Sequence, residues 1–135
     1  MIVQSQEIRH IIAKAIGGII SPTVNPLLPD AEYYLPRLEE VQRIVKEDHT
    51  DRMAYMEEVF DCDDSAVLLK AAFIKDAYKR KRRAYAFGIV WGMFPHPHAV
   101  NWVITRDKEF FFIEPQTDEI YKPRKEDLSV FMIMG

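Results

Sequence analysis

The segment DDSAVLLKAAFIKDAYKRKRR, residues 63–83, carries apolar side chains at helical spacing on two adjoining sides. Ala66, Leu69 and Phe73 make one side, and Val67, Ala71, Ile74 and Tyr78 the next. A helix apolar over so much of its circumference is predicted to lie buried in the middle of a domain. Asp61 stands where such a helix needs an N-cap, and Asp63 and Asp64 fall in its first turn, where carboxylates interact favourably with the exposed N–H groups and the helix dipole. Cys62, the only cysteine of the chain, therefore sits at the head of the predicted helix. The run KRKRR, residues 79–83, reads as its C-terminus, with cations that complement the dipole.

Beyond Arg83 the hydrophobic period changes. AYAFGIVWG, AVNWVIT, EFFFIE and LSVFMIM are short runs rich in β-branched and aromatic residues, and they predict four strands. The connections GMFPHP and RDK are short enough to make the first three antiparallel neighbours. On the N-terminal side, residues 4–16 predict a short helix, followed by a break at GGIISPTVNPLLPD. Leu35, Leu38, Val41 and Val45 then predict a helix from Asp30 to about His49, and residues 51–60 a further short one. Helices first and strands after give an α+β architecture with about four antiparallel strands.

The chain's 135 residues, 48% of them hydrophobic, suffice for one domain with a real core. A net charge of −3 gives no electrostatic instruction to bind nucleic acid, and no aromatic platform is interleaved with the KRKRR run. No apolar run approaches the length needed to cross a bilayer, and the start, MIVQSQEIRH, is unlike a signal peptide, so the chain reads as soluble and cytoplasmic. Oligomeric state has no signature here.

One cysteine cannot close an intramolecular disulfide, which leaves a packed thiol, an intermolecular bridge or a nucleophile. A nucleophilic thiol needs a base to take its proton and a third group to orient that base. His98 opens the second strand and Glu114 closes the third, so adjacent antiparallel strands can present the two side by side, with Cys62 opposite. A helix N-terminus and an imidazolium would both lower the thiol's pKa. His96 and His98 in HPH lack a third nitrogen or sulfur ligand for zinc. Asn101, in the middle of an apolar strand, either supports the site by a hydrogen bond or faces solvent.

CDD opening a central helix, HAVNW at 98–102 and IEPQT at 113–117 resemble the papain-like domain at the C-terminus of fungal chimeric agglutinins of the Marasmius agglutinin type. The resemblance covers roughly residues 55–120. It implies one papain-like domain over 1–135, with a helical N-terminal part at 1–50, a central helix at 60–83 and an antiparallel sheet at 84–135. It further implies a cysteine hydrolase, peptidase or amidase, that acts on a peptide or protein through a covalent acyl-enzyme. Cys62 would be the nucleophile, His98 the base and then acid, and Glu114 the residue orienting the imidazole, with Asn101 and Gln116 in support. Six residues before the cysteine, where the broader papain pattern has glutamine, this chain has Met56.

In the agglutinin group activity depends on calcium, which bears on Asp61, Asp63 and Asp64. Three carboxylates around a thiol disfavour its ionisation, and a hard cation held by their oxygens would cancel that field. The alternative expectation is a non-catalytic interaction or structural module of a phage or bacterial assembly that keeps the fold and an inert thiol.

Overall fold

The computed structural model describes residues 1–19, 25–49, 53, 54, 56, 61–94, 96–124 and 129–135. The helix announced by residues 63–83 is α3, Cys62–Arg80. It lies against a five-stranded sheet of β3 (Phe87–Met93), β4 (Pro97–Ile104), β5 (Phe110–Glu114), β6 (Glu119–Tyr121) and β7 (Ser129–Met134). The strand order is β6-β5-β4-β3-β7, and every pairing is antiparallel. A separate two-stranded sheet pairs β1 (Ile2–Gln4) with β2 (Glu32–Tyr34). Helices α1 (Ser5–Ile16) and α2 (Leu38–Glu47) complete the described elements. The class is α+β.

Strand alternation builds the layers, because successive side chains leave a strand on opposite faces. Val100, Trp102 and Ile104 of β4 point to one face, where with Phe110 and Phe112 they pack against Ile8, Ile11, Ile12 and Ile16 of α1. Ala99 and Val103 point to the other. There Val103, Phe87 and Ile113 meet Leu69, Phe73 and Ala77 of α3 and Val41, Ile44 and Val45 of α2. The rings of Phe73 and Phe87 stack with centroids 3.7 Å apart, which ties the middle of α3 to the middle of the sheet. Asn101 adds a polar pin on that side: fully buried, it donates from Nδ2 to the Ala66 carbonyl at 3.0 Å and to the Gly88 carbonyl at 3.1 Å. Gly88 leaves no room for a side chain, since a Cβ would stand 1.9 Å from the Met134 carbonyl oxygen.

Several expectations need correction. Helix α3 is not enclosed by the domain. It buries Ser65, Ala66, Leu69, Phe73 and Ala77, while Val67, Leu68, Ile74 and Tyr78 remain 50%, 39%, 55% and 69% exposed. A fifth strand of the main sheet was hidden in the connection after Glu114, because EIY is too short and too polar on its flanks to read as a strand. The helix expected from Asp30 begins only at Leu38, since residues 32–34 pair with β1 instead. The short helix expected over 51–60 falls largely outside the described residues. Among the described residues no helix is long and apolar enough to cross a membrane.

At the far end of α3, Asp76 binds α3 to α2 and to the strand layer. Its carboxylate accepts from Arg43 at 3.1 Å, from Arg80 at 3.0 Å and from the Tyr85 hydroxyl. Burial alone would raise its pKa, but the hydrogen bonds from Tyr85, Arg43 and Arg80 outweigh it and hold the carboxyl below its ordinary value of 3.8. A depressed folded-state pKa contributes stability above the unfolded-state value and loses it as pH falls through the folded-state value. We therefore expect Asp76→Asn to cost about 1–3 kcal/mol at neutral pH in urea unfolding, with the deficit narrowing in acid. A deficit that is constant from neutral to acid pH would show that the ionised carboxylate is not its source.

Candidate functional site

Three pieces of chain converge at one end of the sheet: the head of α3, the start of β4 and the end of β5. At the start of β4, His98 Nε2 and Glu114 Oε2 lie 2.7 Å apart, with side chains 25% and 17% exposed. The sequence places this pair correctly, because antiparallel register sets Asn101 opposite Ile113 and brings His98 and Glu114 to neighbouring positions. His98 shares the parity of Val100 and Trp102, and Glu114 that of Phe112.

Cys62 stands at the head of α3. It packs, together with Trp91, on the cluster of Ala66, Ile89 and Ala99. Among the described residues no hydrogen bond joins Cys62 to His98; the groups that reach the sulfur are the backbone N–H groups of Ala99 and Asp63. Burial pushes the thiol's pKa up, and the carboxylates of Asp63 and Asp61 push it further, against the pull of those two N–H groups. The lowering expected from the helix N-terminus is thus overruled by desolvation and like charge. Asn101 neither supports His98 nor faces solvent, since its side chain serves Ala66 and Gly88 on the α3 side. Gln116 lies half-buried in the turn between β5 and β6.

The carboxylates around the thiol do come together. One oxygen from each of Asp61, Asp63 and Asp64 lies within 4.8 Å of the others. Asp64 Oδ2 accepts from the Asp61 N–H at 3.2 Å, as a residue in the first turn does for a helix start. Asp61 Oδ1, by contrast, is buried with no hydrogen-bond partner. A buried acceptor without a donor is costly, and a hard cation satisfies it as well as a donor would. The donor set, all carboxylate oxygen, fits calcium.

With this geometry in view, the relatives of the chain can be stated. A profile of the agglutinin C-terminal family matches residues 33–120. The chain belongs to the agglutinin C-terminal family. Solved structures share its fold, two of them over nearly the whole of this chain. A PSL1a–E64 complex superposes with a TM-score of 0.84 at 18% identity, over 99% of this chain and 51% of that one. A Polyporus squamosus lectin, bound to the human-type influenza-binding epitope Neu5Acα2-6Galβ1-4GlcNAc, superposes with a TM-score of 0.81 at 19% identity, over 99% and 49%. This agglutinin-family chain thus spans about half the length of the structures it matches. No curated protein matches the sequence.

These findings overturn the expected activity. The expected cysteine hydrolase with a peptide or protein substrate is not what these comparisons point to: the matched family is that of an agglutinin C-terminal region, and one of the solved structures that share the fold is a lectin holding a glycan. The non-catalytic alternative stands closer to them, without the phage or bacterial assembly attached to it. Two residues gain interest that sequence reasoning did not give them. Trp91 is half-exposed beside Cys62. Lys70 donates to the Phe87 carbonyl at 2.7 Å, and a lone lysine inside an apolar run was the available signal.

Alkylation of Cys62 by iodoacetamide tests the state of the thiol directly. The rate is expected to be slow at neutral pH, to rise only above the ordinary thiol range, and to change less than about twofold in His98→Ala. A fast rate at neutral pH that disappears in His98→Ala would restore the imidazole as the partner of the thiol.

Proposed function

We propose that this chain is a calcium-assisted carbohydrate-binding module of agglutinin type, which meets its sugar at the head of α3. The observation that carries the reading is the unpartnered, buried oxygen of Asp61 among the carboxylates of Asp63 and Asp64. Calcium held by these residues would neutralise their field and offer oxygen-seeking positions to sugar hydroxyls. Trp91, partly exposed on the same cluster as Cys62, supplies an apolar ring face of the kind that meets the C–H face of a sugar. His98 and Glu114, hydrogen-bonded at the same end of the sheet, add a donor and an acceptor for hydroxyls. Cys62 serves this site as packing beneath it.

A papain-like arrangement is part of the same proposal. What supports it is a long helix, headed by Cys62, laid across an antiparallel sheet whose adjacent strands carry His98 and Glu114. The glycan of the lectin belongs to a chain about twice as long, so the experiment is made on this chain by itself.

Isothermal titration of the chain with calcium, and then with a panel of sialylated and neutral galactose-containing glycans in calcium or in chelator, tests both parts. Calcium is expected to bind, and at least one glycan to bind only in its presence. Asp63→Asn is expected to weaken calcium binding by roughly tenfold or more, because it removes one of three charged ligands. A folded chain that binds neither calcium nor any glycan of the panel would end the proposal.

A further inference from the structure

The other end of α3 borders a cavity of about 620 Å³ that the carbohydrate reading does not use. Phe73, Ile74, Ala77 and Met134 give it an apolar wall, and Lys70 reaches it from the middle of the helix. Arg82 and Arg83 stand at its rim, with Asp30 as the carboxylate of the lining. The cations differ in how their charge is met. Arg83 faces Glu32 at 3.7 Å, and Arg82, exposed to water, lies over the Tyr78 ring at 5.0 Å. Lys70 lies 6.0 Å from the centroid of the Phe87 ring and is without a carboxylate partner: among the described residues none comes within ion-pair distance of it, and its ammonium rests on the Phe87 carbonyl at 2.7 Å. Burial draws its pKa down to about 8, with the more distant Asp30 opposing.

Lys70 is part-buried, and an ammonium partly withdrawn from water without a counter-ion carries a cost that an anionic ligand would relieve. Here the space beside it is open, apolar and larger than a single side chain would fill. We propose that the cavity binds a free amphipathic carboxylate, with its head at Lys70 and its hydrocarbon body along Phe73, Ile74, Ala77 and Met134. The ligand's two parts answer the two properties of the site: the carboxylate supplies the missing counter-ion, and the chain covers an apolar wall that includes the exposed side of Ile74. Arg82, already solvated and stacked, borders the mouth without holding the head.

Titration of the full chain with decanoate and with decan-1-ol, both below their aggregation limits, separates head from body. Decanoate is expected to bind with one molecule per chain and roughly tenfold or more tighter than the alcohol. Shortening decanoate to octanoate is expected to cost roughly fourfold per methylene removed. Lys70→Met, which keeps the apolar stem, is expected to abolish the preference for decanoate over decanol, and Arg82→Gln to change it less than about twofold. The comparison in the wild-type chain decides the matter even if a variant fails to fold. Equal binding of decanoate and decanol, or no saturable binding of decanoate, would overturn the proposal.

Discussion

The packing of α3 across β3 and β4 is the constraint from which the rest of the structure follows. The Phe73–Phe87 stack and the two hydrogen bonds of Asn101 fix the helix against the sheet in both apolar and polar terms. The polar part is the more exacting. An amide buried between a helix carbonyl and a strand carbonyl tolerates little sliding, because either displacement leaves a buried acceptor unpaired. Gly88 belongs to the same constraint, since only a residue without a side chain lets the end of β7 approach that point of β3.

Once α3 is placed, both of its ends acquire a chemical character that its sequence alone does not state. At its head, three aspartates are gathered where the helix needs acceptors and dipole partners, and one oxygen exceeds what the helix start can use. Toward its C-terminus, Asp76 collects Arg43, Arg80 and Tyr85 and binds α2 to the layer. Lys70 lies between these regions, bonded to the Phe87 carbonyl beside the ring of the same residue, with no ion-pair partner among the described residues, and the cavity beside it is a consequence of α3 covering the sheet with one side only. The same charge type is thus structural in one place and free to serve a ligand in another, according to how many donors surround it.

The raised pKa of the thiol has a simple physical origin. A cysteine at a helix N-terminus is expected to ionise readily, and a histidine on a neighbouring strand to assist it. In this fold desolvation and two carboxylates raise the thiol's pKa against the helix terminus, and the backbone N–H groups of Ala99 and Asp63 reach the sulfur. The His98–Glu114 contact, by contrast, was legible, because it depends on antiparallel register between two short strands joined by a tight turn.

The sequence by itself determined the α+β order, the extent of α1 and α3, four of the five strands of the main sheet, the aspartates at the helix head, and the agglutinin resemblance carried by CDD, HAVNW and IEPQT. These are local properties: periodicity, capping and short motifs are written in consecutive residues. Only the tertiary structure decided that residues 32–34 form a strand, that α3 exposes Val67, Ile74 and Tyr78, that Asn101 pins α3 to β3, and that Lys70 borders a cavity. Each of these depends on which distant segment comes to lie alongside. Strand pairing, the covered side of an all-round apolar helix, and the neighbours of a buried charge are set by contacts between residues far apart in the chain, which no local pattern encodes.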